Sequence, residues 1–225
     1  MVATPQRIRM LPDREQAIAM TYADFRAQIE DGAHAEWVNG EVIVFMPPNV
    51  KHQSVAGLLY WLIVGFVDLF DLGRVWAAPL EMRAIPDGPA REPDIIFVAK
   101  EHLARLTDQR LAGPADLAIE VISDESAARD RSDKFYEYEE AGIREYWLFD
   151  PRPRRERADF HRLNAEGKYD PIPLDMDRQF HSAVLPGFWL KPEWFWQDLL
   201  PSPFNLLTTI APQAVQVTRP AAEAE

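Results

Sequence analysis

Hydrophobic and polar positions near the start of the chain predict a short helix followed by a hairpin. Thr21 is placed to cap a helix over residues 22–30, which Asp31-Gly32 would end. The apolar runs 35–38 and 41–45 then flank Asn39-Gly40. Because Asn-Gly favours the tight turns that join antiparallel strands, this stretch predicts a β-hairpin.

A long apolar segment, residues 51–70, predicts a helix that is packed on nearly all sides. Its uncharged part, residues 55–67, has the length of a buried core helix, and a bilayer crossing needs about 20 apolar residues. We therefore expect no membrane association. Apolar runs bounded by turn residues predict strands over 74–85 and 94–98.

The pattern over residues 117–149 predicts two parallel strands joined by a helix. A strand over 117–123 precedes a charged helix over 126–141, which Gly142 ends, and a strand over 143–149 follows. A strand, a long helix and a strand in this order are typical of a right-handed crossover. The helix is then expected to cover one face of the sheet.

The remaining pattern predicts a hairpin over 158–163 and 168–172 and a helix from Pro192 to residue 200. Together these elements predict an α/β (α+β) fold with an N-terminal hairpin and C-terminal β additions. Among the 225 residues we expect a flexible lead over 1–18, one domain over 19–200 and a loose tail over 201–225.

Composition and charge narrow the function classes. The net charge of −12 is unfavourable for binding a polyanion, although local basic patches or bound cations can offset it. Without cysteine, a metal must be held by carboxylate, histidine or backbone oxygen, which favours a hard cation. The first 14 residues contain no secretion signal, so we expect a cytoplasmic protein.

One carboxylate stands out because it lies inside an apolar strand. Glu120 has apolar neighbours on both sides, and such a charge is costly unless it is paired or binds a metal. Asp94, after Pro93, could simply cap a strand, and Lys134 could be a solvated helix lysine. Considered together, two carboxylates on adjacent strands could hold a divalent cation, with a lysine to support phosphate chemistry.

Four stretches carry a family resemblance: residues 36–41, residues 93–97, residues 117–123, and the long run from Asp133-Lys134 to Asp150. In order and spacing they resemble the Uma-two family of restriction-endonuclease-like proteins, within the PD-(D/E)xK nuclease superfamily. The resemblance implies a restriction-endonuclease-like core, in which a mixed central sheet is flanked by helices. It also implies a nuclease active on DNA with Mg²⁺ or Mn²⁺. A duplex cutter would need two sites, so a homodimer is expected.

The resemblance also implies site residues. Asp94 and Glu120 would bind metal, and Lys134 would take the lysine role, because Ile122 stands where the superfamily pattern has its lysine. Glu41 is either an accessory catalytic and metal ligand or a surface strand residue. His52 and Gln53 are possible substrate contacts.

Other charged residues have simpler interpretations. Asp130, Arg131 and Asp133 are expected to form a solvated helical turn. The basic run over 152–157 is either an exposed loop or a contact for a nucleic-acid backbone. Two alternative functions stay open: a non-catalytic nucleic-acid-binding or assembly module, and a hydrolase for a small phosphorylated substrate. With no Gly-rich Lys-Ser/Thr loop, no nucleotide cofactor is expected.

Overall fold

The computed structural model describes residues 16–29, 34–45 and 47–212. Its helices and strands are, in chain order, β1 (Gln16–Ala19), α1 (Tyr22–Gln28), β2 (Ala35–Val38), β3 (Glu41–Val44), α2 (Val50–Phe70), β4 (Gly73–Ala77), β5 (Met82–Arg83), β6 (Ile95–Ala99), β7 (Leu111–Ala112), β8 (Leu117–Val121), α3 (Ala127–Arg131), α4 (Asp133–Ala141), β9 (Glu145–Asp150), β10 (Arg157–Leu163), β11 (Tyr169–Pro171), β12 (Phe180–His181), β13 (Trp189–Leu190) and α5 (Pro203–Ile210). Short 3₁₀ turns occupy Lys100–Arg105 and Pro192–Phe195.

The centre of the fold is a six-stranded sheet in the order β11-β10-β9-β8-β6-β4. Strands β8 and β9 are parallel. The other neighbouring pairs are antiparallel. The predicted mixed sheet is therefore confirmed, and α3 and α4 form the connection between its parallel strands as the pattern indicated.

Alternation along β8 sends its side chains to opposite faces of the sheet. Leu117, Ile119 and Val121 join the core that contains α2. Ala118 and Ile122 join a second core that contains α4. Because side chains alternate with a period of two, Glu120 lies on the α4 face.

Helix α2 is, among the described residues, the one helix long and apolar enough to cross a membrane by length and composition. Eight of its residues are buried, including Leu59, Leu62 and Ile63, and it packs on β4 and β8. This is the packing of a core helix, as the sequence led us to expect. Asn49 caps it by accepting a hydrogen bond from the His52 backbone N–H.

A small three-stranded sheet, ordered β1-β3-β2, contains the predicted Asn39-Gly40 hairpin. It joins the rest of the fold through the backbone pair Trp37 and Ala90. The flexible lead was predicted to reach residue 18, whereas Gln16–Ala19 forms β1 against β3. Residues 1–15 lie outside the described part of the chain.

Three further predictions differ from the structure. The strand expected over 74–85 divides into β4 and β5 on either side of the Ala78-Pro79 peptide, since proline cannot continue a strand ladder. The helix expected over 126–141 is broken at Ser132, whose φ and ψ of −123° and −71° are not helical. The helix expected from Pro192 is a 3₁₀ turn ending at Phe195.

The prediction of a loose tail from residue 201 is wrong up to Ala211. Residues Pro203–Ile210 form α5, and Leu206, Ile210 and Ala211 are buried in the α2 core. Leu207 packs so closely that a side chain at Gly65 would lie 2.8 Å from its Cδ2 atom. Apolar residues on one face of α5 thus outweigh the proline-rich composition around it.

Replacing Leu206 by alanine should lower the free energy of unfolding by about 2–4 kcal/mol, because a buried leucine is lost and a cavity is left. Denaturant unfolding followed by tryptophan fluorescence measures this. The control is Asn205→Ala, an exposed change on the same helix that should cost less than about 0.5 kcal/mol. Equal effects of the two changes would mean that α5 adds nothing to the core.

Candidate active site

A cavity of about 320 Å³ lies between the N-terminal end of α2, the small sheet, the end of β8 and helices α3 and α4. It gathers residues distant in sequence, and its polar lining consists of His34, Glu36, Asn49, His52, Gln53, Glu92, Asp94, Glu120, Ser123, Glu125, Ser126, Arg129, Asp130 and Lys134. The structure thus brings together three residues that the sequence analysis singled out, Asp94, Glu120 and Lys134.

Glu120 and Lys134 form a buried ion pair. The Lys134 Nζ atom lies 2.8 Å from Glu120 Oε1, and the Tyr138 hydroxyl donates to the same oxygen at 3.0 Å. Lys134 and Tyr138 are four residues apart on α4, so both side chains project from one face of that helix onto β8. This packing lets a helix lysine reach the strand glutamate.

Two more carboxylates contact the Lys134 ammonium. Glu36 Oε1 lies 3.1 Å and Asp130 Oδ1 3.4 Å from Nζ. Burial lowers the pKa of Lys134, but the charges of Glu120, Glu36 and Asp130 outweigh it and hold the pKa well above its usual range. Lys134 is therefore protonated at neutral pH.

Glu36 is held on its other side by Arg91, which the sequence did not single out. Arg91 donates to Glu36 at 2.8 Å and, through two nitrogens, to both carboxylate oxygens of Glu137 at 2.7 Å. Burial raises the pKa of Glu36, but Lys134 and Arg91 outweigh it and bring the pKa to about 2. Glu36 is thus an ionised carboxylate of the cavity wall.

Glu41 lies outside the cavity. It is exposed in β3, opposite Ala19 and Val38. Glu36, at the far end of the same motif, provides the carboxylate instead. The alternation of side chains along the hairpin allows either Glu36 or Glu41 to face the cavity. The contacts of β2 with Arg91 and Lys134 show that it is Glu36.

Asp94 lies at the start of β6 and is fixed by the neighbouring strand. Its Oδ2 atom accepts a hydrogen bond from the Val121 backbone N–H at 2.7 Å and lies 3.3 Å from His52 Nε2. Burial lowers the pKa of His52, yet the Asp94 carboxylate outweighs it and raises the pKa above its ordinary value. His52 therefore orients Asp94, while Gln53 is exposed at the cavity wall.

Glu92 adds a further carboxyl group to the wall. Burial, and then the nearby charge of Glu36, raise the pKa of Glu92 to about 8, so it is largely protonated at neutral pH. Its Oε2 atom lies 3.4 Å from His34 Nδ1. The cavity can thus hold this carboxyl group without adding a full negative charge.

The solvated turn predicted at residues 130–133 is only partly correct. Asp133 is exposed, but Asp130 is 1% exposed and faces Lys134. Arg131 pairs with Asp159 at 2.6 Å and Asp150 at 3.3 Å. The charges that looked like a surface pattern therefore contribute to the site and to its support.

Half of the basic run is neutralised. Arg152 donates to Asp150 through two nitrogens at 2.8 Å and to Asp124 at 3.0 Å. Arg157 contacts Asp159 at 2.5 Å, while Arg154 and Arg155 are exposed. Two arginines of the run are thus available at the surface without a visible acidic partner in the described chain.

The residues present are suited to a hard divalent cation. Asp94 and Glu120 provide two carboxylates in a cavity where acids outnumber basic side chains. Within the described residues, no group of three or more His, Asp or Glu side chains is arranged as a complete metal site. Mg²⁺ is commonly held by one or two carboxylates, with water and substrate phosphate completing its shell, so this pair fits it.

Comparisons with known proteins bear on the fold and the family of the chain. A solved structure from Anabaena variabilis ATCC 29413, described as a "putative nuclease belonging to DUF820", matches with a TM-score of 0.63 at 16% sequence identity. The match covers 79% of this chain and 97% of that one. This likeness shows the fold, and confirms the mixed nuclease-like architecture. No curated protein matches the chain.

A family model provides the remaining evidence. The model of Uma2, described as "Putative restriction endonuclease", matches residues 22–193. This range contains every residue of the cavity and ends before α5. Since the match covers well over half of the chain, the protein belongs to the Uma2 family.

Proposed function

We propose that this protein is a Mg²⁺- or Mn²⁺-dependent endonuclease that hydrolyses phosphodiester bonds in DNA. The observation that supports it most is the buried contact of Lys134 with Glu120, in a cavity that Asp94 also lines. The family description and the nuclease-like fold neighbour agree with this function. The proposed place of action is the cytoplasm, and a homodimer would allow both strands of a duplex to be cut.

Asp94 and Glu120 are the residues that would hold the cation. Bound there, Mg²⁺ or Mn²⁺ would supply a Lewis acid for a phosphate oxygen and acidify water. The Val121 N–H and His52 fix the Asp94 carboxylate, and Tyr138 fixes that of Glu120. Both carboxylates are therefore oriented before substrate arrives, which lowers the cost of organising the site.

Lys134 would act as a fixed positive charge. Its raised pKa means that it enters the reaction as an ammonium and does not serve as a proton acceptor. A buried charge of this kind stabilises negative charge that develops on the phosphate. Glu36 and Asp130 hold this ammonium at the cavity wall.

The charge of the protein bears on how DNA would bind. With a net charge of −12 and an acidic cavity, the chain repels a polyanion unless cations intervene. A divalent cation at Asp94 and Glu120 would offset this repulsion at the scissile phosphate. Gln53, exposed at the wall, and the exposed Arg154 and Arg155 are the proposed contacts to the nucleic acid.

A second candidate is a non-catalytic nucleic-acid-binding or assembly module of the same fold. One observation favours it: Glu120 Oε1 already accepts from Lys134 and Tyr138, so this oxygen of a proposed ligand is already occupied. Such a module would bind DNA without cutting it and would not bind a cation through Glu120.

DNA cleavage tests the catalytic proposal. Purified protein with Mn²⁺ should nick plasmid DNA, and Asp94→Ala or Lys134→Met should each reduce the rate by about 100-fold or more, as expected for the loss of a ligand or a stabilising charge. Glu41→Gln is the matched control, since it removes an acid outside the cavity, and should retain the wild-type rate. Equal rates in all four proteins would indicate a contaminating nuclease and contradict the proposal.

Calorimetric titration with Mn²⁺ separates the two candidates. Wild type should bind Mn²⁺, and Glu120→Gln should bind it at least about tenfold more weakly, because a charged oxygen ligand is lost. Glu41→Gln should bind as wild type does. A wild-type protein that binds DNA but shows no Glu120-dependent cation binding would support the non-catalytic module.

A further inference from the structure

Asp130 is a buried carboxylate whose oxygens lack hydrogen bonds. It is 1% exposed, and neither Oδ1 nor Oδ2 has a hydrogen-bond partner within the described part of the chain. Both backbone groups of Asp130 form hydrogen bonds. The N–H donates to the Ser126 carbonyl at 2.9 Å, and the carbonyl accepts from the Tyr146 hydroxyl at 2.9 Å. The carboxylate is therefore held in place at the cavity wall.

Burying such a carboxylate lowers the stability of the fold unless another interaction compensates for the lost hydration. A buried charged group without hydrogen bonds loses its hydration and gains little in return. Burial raises the pKa of Asp130, and the charge of Lys134 offsets this rise only in part. The contact with the Lys134 ammonium is therefore the interaction that favours an acid at this position.

The nearest opposite charge is Lys134, and its three acidic contacts are unequal. The Nζ atom is 2.8 Å from Glu120, 3.1 Å from Glu36 and 3.4 Å from Asp130. Glu36 is also engaged by Arg91 and by the Glu92 backbone N–H. Asp130 thus has the largest unused capacity to accept hydrogen bonds from the ammonium.

We propose that Asp130 is a positioning residue that receives the Lys134 ammonium when a divalent cation binds at Glu120. This inference rests on the proposed function, because it assumes a cation at Glu120. A cation there would repel the ammonium and compete for the lone pairs of Oε1. A small shift toward Asp130 relieves both effects and keeps Lys134 at the cavity wall.

One site could then hold both the divalent cation and the Lys134 ammonium. In the structure, Glu120 is neutralised by Lys134, an arrangement that by itself opposes cation binding. With Asp130 as an alternative partner, the ammonium is displaced over a short distance and stays buried. Without it, Glu36 would be the remaining carboxylate beside the ammonium, and Glu36 is already engaged by Arg91 and the Glu92 N–H.

A double-mutant cycle on Mn²⁺ affinity tests this, using the full-length protein and calorimetry. Asp130→Asn should weaken Mn²⁺ binding about tenfold, the scale typical for losing a residue that supports a metal ligand. The control Asp133→Asn, an exposed acid three residues along, should change the affinity less than about twofold.

The decisive comparison is made in a Lys134→Met background. There Asp130 has no ammonium to receive and, buried without its counter-charge, is protonated, so Asp130→Asn should change Mn²⁺ affinity less than about twofold. If Asp130 were instead a direct ligand, the bound cation would keep it ionised, and its substitution would weaken binding at least as much as in wild type. That result would overturn the inference.

Wild-type protein provides a second readout, which does not depend on how the variants fold. In nuclear magnetic resonance spectra, the Lys134 Hε protons should show contacts to Glu120 Hγ without cation and to Asp130 Hβ with saturating Mg²⁺. Unchanged contacts in a Mg²⁺-saturated protein overturn the inference and leave the proposed function intact. Absence of any Mg²⁺ or Mn²⁺ binding by wild type would overturn both.

Discussion

The Lys134 ammonium is the group on which the arrangement of this molecule depends. It is buried, and the carboxylates that balance it come from β8, α3 and the separate small sheet. Removing the partner of a buried charge lowers the stability of a fold by about 3–5 kcal/mol. Lys134 can therefore be buried only when the elements that carry its carboxylates are in place. The alternation of β8, the packing of α4 and the attachment of the small sheet all serve this one contact.

Much of the fold follows from local pattern. Asn39-Gly40 identifies its hairpin because few residue pairs suit that turn. The order of strand, helix and strand identifies the parallel pair of β8 and β9 in the central sheet. The sequence predictions fail where the local pattern and the contacts with distant parts of the chain favour different structures. Ser132 breaks a pattern that reads as one helix, and α5 gains its stability from α2, which no local feature of its proline-rich surroundings reveals.

The site was predictable only in part, for a related reason. Glu120 is unusual because its immediate neighbours are apolar, so the sequence alone draws attention to it. Asp130 lies between Arg129 and Arg131, so nothing in its neighbours suggests burial. Glu36 lies between Ala35 and Trp37, but a single polar residue in a short hairpin strand is typical of a solvent-facing position. Both are buried by contacts with residues elsewhere in the fold. Arg91 was missed for the same reason, since its role is defined by Glu36 and Glu137, which are 55 and 46 residues away.

The position of Lys134 on α4 instead of on β8 also affects how the site forms during folding. The contact between Glu36 and Arg91 spans 55 residues, and closing loops of that length is entropically costly. The crossover that brings Lys134 to Glu120 spans only 14 residues and carries a much smaller closure cost. A nascent chain can therefore form half of the site locally, whereas the complete set of charges exists only once the small sheet has docked.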